Sequence, residues 1–213
     1  MKKTVLLVMI LTITSTSWAQ LPKIGAHAGI NLSTITGDMN GIDKGMKFGL
    51  TGGIHYNIKL IPFISLQPEL NYDQRGINAK YTTIFPSGKF EYDNTLKLDY
   101  LTVPVLFRIN PPMLYLEAGP YVGFLLNAKN DISVSITGTT PYTPVSENKD
   151  VKDNYAKTEF GLIGGAGLKF GLGPVKFNAG LRYTMGLSNI NKDDTYTNKN
   201  AVLTLLAGFT LGL

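Results

Sequence analysis

Met46-Lys47-Phe48-Gly49-Leu50-Thr51-Gly52-Gly53-Ile54-His55-Tyr56-Asn57-Ile58 alternates along its whole length. Met, Phe, Leu, Gly, Ile, Tyr and Ile occupy one set of positions, and Lys, Gly, Thr, Gly, His and Asn the other. A period of two sends successive side chains to opposite sides of an extended chain, so this stretch reads as a strand with one greasy and one small or polar face. The same pattern recurs around Ile24–Leu32, Ile64–Asp73, Tyr100–Arg108, Leu114–Leu126, Glu159–Phe170, Val175–Leu187 and Ala201–Leu213. With Met46–Ile58 that makes eight strands, an even number.

The connections alternate in length. Lys59–Pro62, Asn110–Met113 and Gly171–Pro174 are short and carry Pro or Gly, as tight turns require. Ser33–Lys44, Gln74–Leu98, Ala128–Lys157 and Ser188–Asn200 are longer and rich in Asn, Asp, Thr, Gly and Lys, so they read as solvated loops. Antiparallel strands put alternate connections at opposite ends. All short turns then share one end and all long loops the other, the asymmetry of outer-membrane barrels with short periplasmic turns. Both chain ends fall on the periplasmic side. The expected fold is all-β: an eight-stranded antiparallel up-and-down transmembrane β-barrel.

An eight-stranded barrel can hold its apolar face inside, as soluble lipocalin-like barrels do, or outside toward lipid. The polar face here is filled with Gly, Asn, Thr and isolated charges rather than dense Lys and Glu, and charged residues are only 16% of the chain. A water-facing surface carries more charge, while small residues suit a narrow lumen. Aromatic residues of the apolar face also cluster at its two ends. Phe107, Phe170, Phe177 and Phe209 lie toward the short turns; Phe48, Tyr72, Phe124, Phe160 and Tyr183 lie toward the long loops. Two such belts match the interfacial girdles of membrane barrels. The apolar face therefore points outward. No segment offers the 18 or more consecutive apolar residues of a membrane helix.

Lys2 and Lys3, the apolar run Val5–Ile13 and the small residues of Ser17-Trp18-Ala19 form a secretory signal, with cleavage expected after Ala19. Residues 1–19 are thus a signal peptide and 20–213 the barrel domain, placed in the outer membrane. The chain has no cysteine, which excludes disulfides, lipoprotein anchoring and a thiol nucleophile, and two histidines leave little for a metal site. A net charge of +5 on an exported chain gives no case for nucleic acid. No cofactor is expected. The partners are the lipid bilayer and, with the identity left open, a protein at the long loops or the periplasmic rim.

Leu66-Gln67-Pro68-Glu69-Leu70-Asn71-Tyr72, Leu98-Asp99-Tyr100-Leu101-Thr102-Val103-Pro104-Val105-Leu106 and Tyr115-Leu116-Glu117-Ala118-Gly119-Pro120-Tyr121-Val122-Gly123 follow in order. With Leu181-Arg182-Tyr183 and Gly186-Leu187-Ser188-Asn189-Ile190, they resemble the PorT-like outer-membrane β-barrel family of Bacteroidota-type envelopes. The likeness runs from about Lys23 to Leu213. It implies an eight-stranded outer-membrane barrel without assigned activity in most members. The founding member takes part in secretion and assembly, a role that no residue motif transfers here.

By strand parity the inward face carries His55, Glu69, Asp73, Arg75, Arg108, Glu117, Glu159, Lys169 and Arg182. These could line a polar lumen that passes a solute or binds a ligand. They could equally form a structural network that plugs it, because eight strands leave an interior about filled by side chains. The plug is the expected arrangement, since unpaired charges there would be costly. Glu69 and Glu117 could be paired as acid and base, and His27 and His55 also face inward, but no triad spacing accompanies them. Asn189–Asp194 has calcium-type ligands without the glycine and terminal glutamate of a calcium loop. Val134–Thr140 could lengthen the fifth strand or form a small projecting hairpin. The function expected is non-enzymatic: envelope structure, adhesion or secretion-system assembly. A narrow transport or ligand-binding barrel is the alternative, ahead of a soluble lipocalin-like barrel or a membrane-embedded enzyme.

Overall fold

A computed structural model describes residues 23–37, 43–85, 88–138, 145–193 and 196–212. The expected signal peptide, its expected cleavage point and part of Val134–Thr140 lie outside the described residues. The strands are β1 (Lys23–Gly37), β2 (Asp43–Ile61), β3 (Ile64–Phe85), β4 (Gly88–Ile109), β5 (Leu114–Gly138), β6 (Val145–Asp150), β7 (Thr158–Leu172), β8 (Val175–Gly186) and β9 (Asn198–Gly212), with one short 3-10 turn at Lys152–Asn154.

All ladders are antiparallel, and the first strand closes on the last. Ile24 pairs with Leu211 and Ala28 with Ala207 across β1–β9, while β1 also pairs with β2. β4 pairs with β5, and β5 with β7 from Leu114 to Phe124. The ring thus contains β1, β2, β3, β4, β5, β7, β8 and β9, eight strands in all. β6 stands outside it, bonded to β5 between Lys129↔Asp150 and Val134↔Val145. Closure matters because it leaves no ladder edge facing the bilayer interior, where an unpaired backbone group would cost several kcal/mol.

The apolar parity lies outside. Leu50, Leu116 and Leu168 are 62%, 53% and 57% exposed, while their sequence neighbours Thr51 and Glu117 are 8% and 4% exposed. Fully burying one such Leu is worth about 1.5–3 kcal/mol, so a cylinder whose outer wall is Leu, Ile, Val and Phe is stable only against another apolar phase. Phe170, Phe177 and Phe209 sit side by side at the short-turn end, through the pairs Phe170↔Phe177 and Phe177↔Phe209. Among the described residues no helix is long and apolar enough to cross a membrane.

The short turns sit at Pro62-Phe63, Asn110–Met113 and Gly173-Pro174, with Gly173 at φ 62° and Met113 at φ 64°; the first and last are tighter than the expected Lys59–Pro62 and Gly171–Pro174 because β2 runs on to Ile61 and β7 to Leu172. The long connections are different from expectation. Gln74–Leu98 is not a loop: β3 and β4 stay paired up to Phe85↔Gly88. Much of Ala128–Lys157 is likewise the upper part of β5 with β6 laid against it. Crossing a bilayer takes about 9–11 residues of tilted strand, so β3, β4 and β5, at 22, 22 and 25 residues, project well beyond it. Polar composition masked real strand formers here, with Tyr81 paired to Tyr92 and Thr83 to Phe90. Lys80–Asp93 (3.3 Å), Lys89–Glu91 (2.6 Å) and Lys97–Asp131 add ion pairs. Each such exposed pair is worth only about 0.2–1 kcal/mol, so the ladder itself holds the sheet.

Two glycines show how the inner wall is shaped. Gly76, at φ +140°, breaks the alternation of β3, so that Arg75, Gly76 and Ile77 are all buried. Its carbonyl accepts a hydrogen bond from Ser33 Oγ at 3.0 Å. Gly180 makes room for the Tyr115 ring, whose hydroxyl lies 2.2 Å from where a Cβ would stand. Gly180→Ala should therefore displace Tyr115 and destabilise the barrel by about 1–3 kcal/mol, read as a lower urea midpoint for unfolding from lipid vesicles.

Candidate functional site

The site is the lumen, and strand parity builds it. Glu69 and Asp73 on β3, Arg108 on β4, Glu117 on β5, Glu159 on β7 and Arg182 on β8 each occupy an inward position, and all are buried. They assemble into two layers stacked along the barrel axis.

Arg182 is the centre of the lower layer. Nη1 and Nη2 donate to the two Glu69 oxygens, both at 2.7 Å, and Nε donates to Glu117. Arg108 donates to the other Glu117 oxygen and to Gln67 Oε1, both at 2.7 Å, and stacks its guanidinium 4.0 Å over the Tyr115 ring. Gln67 and Asn71 amides complete Glu69 at 2.7 and 3.0 Å. Two carboxylates and two guanidiniums thus balance, with nearly every charged atom bonded. The geometry matters more than the count, since buried pairs repay desolvation only when their remaining lone pairs and protons are satisfied.

Arg75 centres the upper layer. It donates to Glu159 at 3.0 Å and to Asp73 at 3.3 Å, with its guanidinium between the Tyr100 and Tyr121 rings. Two carboxylates share this one guanidinium, and neutral donors satisfy their remaining lone pairs. Thr51 and Thr102 each donate to Asp73 at 2.6 Å, Asn200 donates to Glu159 at 2.6 Å, and the Tyr121 hydroxyl donates to the same carboxylate. His27 and His55 lie beside the lower layer, their Nδ1 atoms 3.4 Å apart, with His55 Nε2 2.9 Å from Thr210 and His27 Nε2 3.8 Å from Glu69.

Above these layers the lumen turns apolar. Ile35, Ile77, Leu96, Leu98, Tyr100, Leu125, Ala128 and Ile190 form one buried cluster, against which Val151 and Tyr155 pack. The segments 151–157 and 188–192 fold across it through backbone bonds, Ala156 to Ile190 at 2.8 Å and Lys192 to Asn154 at 3.0 Å among them. Asn189 Oδ1 accepts from the backbone amides of Asn191 and Asn198, so this oxygen is used on its own turn. Among the described residues no cluster of three or more potential metal ligands occurs.

The structure brings Glu69, Asp73, Arg75, Arg108, Glu117, Glu159 and Arg182 together and sets His55 at their side. Lys169 stands apart. It makes no ion pair within the described network, and its Nζ reaches only Asn110 Oδ1, at 3.5 Å, at the short-turn mouth. Along β7 it lies two inward positions beyond Gly165, the residue paired with Glu117, and so past the last carboxylate of the network. Gln67, Asn71, Thr51, Thr102, Tyr121 and Asn200 were missed, although parity places each of them on the inward face. Six of the cap residues, Ile35, Ile77, Leu96, Leu98, Ala128 and Ile190, lie in stretches expected to be loops, while Tyr100 and Leu125 lie at the ends of expected strands, so the sequence pattern did not join them.

A closed eight-stranded cylinder with a lipid-compatible wall and a packed ionic lumen defines the class: an integral membrane barrel. Residues 18–192 match the family described as "Outer membrane protein beta-barrel domain", and the chain belongs to that family. No curated protein matches it in sequence. Among solved structures, Neisserial surface protein A is similar at 14% identity, covering 89% of this chain and 97% of that one, with a TM-score of 0.41. Ail, the attachment invasion locus protein of Yersinia pestis, gives 18% identity over 89% and 98%, also at 0.41. OprG of Pseudomonas aeruginosa gives 10% over 91% and 97%, again at 0.41.

Proposed function

We propose that this outer-membrane barrel is non-enzymatic and sealed, and that it acts through surfaces rather than through its lumen, in envelope structure, adhesion or secretion-system assembly. The observation that carries this reading is the double closure of the lumen. Two ionic layers fill its middle and an apolar cap covers the loop end. What remains for recognition is the sheet of β3, β4, β5 and β6 raised beyond the bilayer. Among the described residues β6 pairs only with β5, which leaves its outer edge for strand addition by a protein partner. The edge carries exposed Glu147, Lys149 and Asp150, which protect it against indiscriminate pairing. Export by a signal peptide cleaved after Ala19 belongs to the same reading.

Two measurements test it. Protein reconstituted in planar bilayers should show no large steady conductance, and a stable nanosiemens-scale pore would overturn the sealed lumen. Co-purification from native outer membranes should yield a stoichiometric protein that is lost when residues 145–150 are replaced by a Gly/Ser linker; a partner retained by that variant would remove the β6 edge from the proposal.

A further inference from the structure

The short-turn mouth holds a cavity of about 390 Å³, within the range of roughly 300–1,000 Å³ of small-ligand sites. Its charged lining is one-sided. Lys23, Lys59, Lys169, Lys176 and Arg108 line it, and among the described residues no Asp or Glu does. This is the reverse of the layers just above, where each guanidinium meets a carboxylate. The four lysines come from β1, β2, β7 and β8, all at inward parity and one per strand. Lys23 pairs across β1–β9 with Gly212, and Lys176 across β8–β9 with Thr210, so the two flank the last residues of β9. Lys176 is near enough to repel both Lys23 and Lys169. Among the described residues none of the four lysines has a carboxylate within 4.0 Å.

We infer that this periplasmic vestibule is a binding site for a phosphate-type oxyanion, held by Lys23, Lys59, Lys169 and Lys176 over a floor made by Arg108 and Tyr115. Several like charges converging on one concave space repel one another, and low-dielectric walls strengthen that repulsion; a multivalent anion relieves it. The neutral lining is consistent with the same ligand. The Asn178 amide and the hydroxyl of Ser65, whose oxygen accepts from the Asn57 and Asn110 amides, supply donors beside the lysines. Arg108 uses Nε on Glu117 and Nη1 on Gln67, which leaves its other amino group over at the floor. A phosphate has the oxygens to accept from all of these, from ammonium and guanidinium alike. The phosphate is either a soluble one from the periplasm or the headgroup of an inner-leaflet lipid.

The test uses folded full-length mature protein. Pyrophosphate is titrated calorimetrically into protein in non-ionic detergent at fixed ionic strength. In parallel, nanodiscs of phosphatidylcholine with phosphatidylglycerol are analysed by native mass spectrometry for retained phosphatidylglycerol. Lys59→Gln and the double variant Lys59→Gln, Lys176→Gln are compared, with heat-modifiable gel migration showing that each is folded. Saturable pyrophosphate binding, weakened roughly tenfold for each lysine removed, establishes a soluble-phosphate site. Phosphatidylglycerol retained by the wild type and lost from the variants, without pyrophosphate binding, establishes a lipid-headgroup site. Binding of neither probe, or equal binding by wild type and Lys59→Gln, overturns the inference. Lys59 is exposed, so the single variant keeps the test decisive even where the double one fails to fold.

Discussion

Arg182→Met is expected to cost about 3–5 kcal/mol, the loss found when one partner of a buried ionic cluster is removed. Arg182 supplies three of the hydrogen bonds that neutralise Glu69 and Glu117, and its removal leaves Glu69 hydrogen-bonded by the Gln67 and Asn71 amides, with His27 at 3.8 Å and no guanidinium. Glu117 keeps Arg108, so most of the damage belongs to Glu69. This gives the prediction an internal check. Adding Glu69→Gln to Arg182→Met removes the stranded charge and should restore more than half of the loss. Urea unfolding from lipid vesicles, followed by circular dichroism and by heat-modifiable migration, reads both. A cost for Arg182→Met below about 1 kcal/mol would mean that water reaches the layer and that the lumen is hydrated rather than plugged. A double variant no better than the single one would place the damage in lost packing of the arginine stem instead.

The same cluster shows what alternation can and cannot reveal. Parity alone assigned Glu69, Asp73, Arg75, Arg108, Glu117, Glu159 and Arg182 to one interior, because in a closed barrel every second residue has nowhere else to go. It could not say which charges meet. Glu69 and Arg182 are 113 positions apart and face each other across the lumen, a distance set by ring closure and stagger rather than by any local spacing. Lys169 obeys the same parity yet lies outside the network, since height along the axis decides partnership and periodicity carries no height. The upper halves of β3, β4 and β5 were illegible for another reason. Outside the bilayer both faces of a strand meet water or neighbouring chain, so the apolar alternation that marks a membrane strand fades. Tyr81, Thr83, Phe90 and Tyr92 were the surviving signal, and the Asn, Asp and Lys between them obscured it. Gly76 compounds this by shifting the parity of β3, which turns Ile77 inward and founds the apolar cap.

The bilayer boundary itself is open to measurement through one substitution made at two heights. Leu205 lies on the outer wall of β9, 57% exposed, between the belt at Phe209 and Phe177 and the one at Tyr183, which pairs with Leu203. Leu205→Arg puts a guanidinium near the midplane and should cost about 2–4 kcal/mol, read as reduced folding into phosphatidylcholine vesicles. Thr82 is exposed in the raised part of β3, facing water in this arrangement. Thr82→Arg should change stability by no more than about 0.5 kcal/mol, as expected for a surface position. The contrast depends only on what surrounds each side chain, since both replacements occur on ordinary strand backbone. Equal, large losses at both would mean that the hairpin of β3 and β4 is itself embedded and that the aromatic rows do not mark the interface. No loss at Leu205 would put water rather than lipid against the wall, and the apolar exterior would then need a protein partner to cover it.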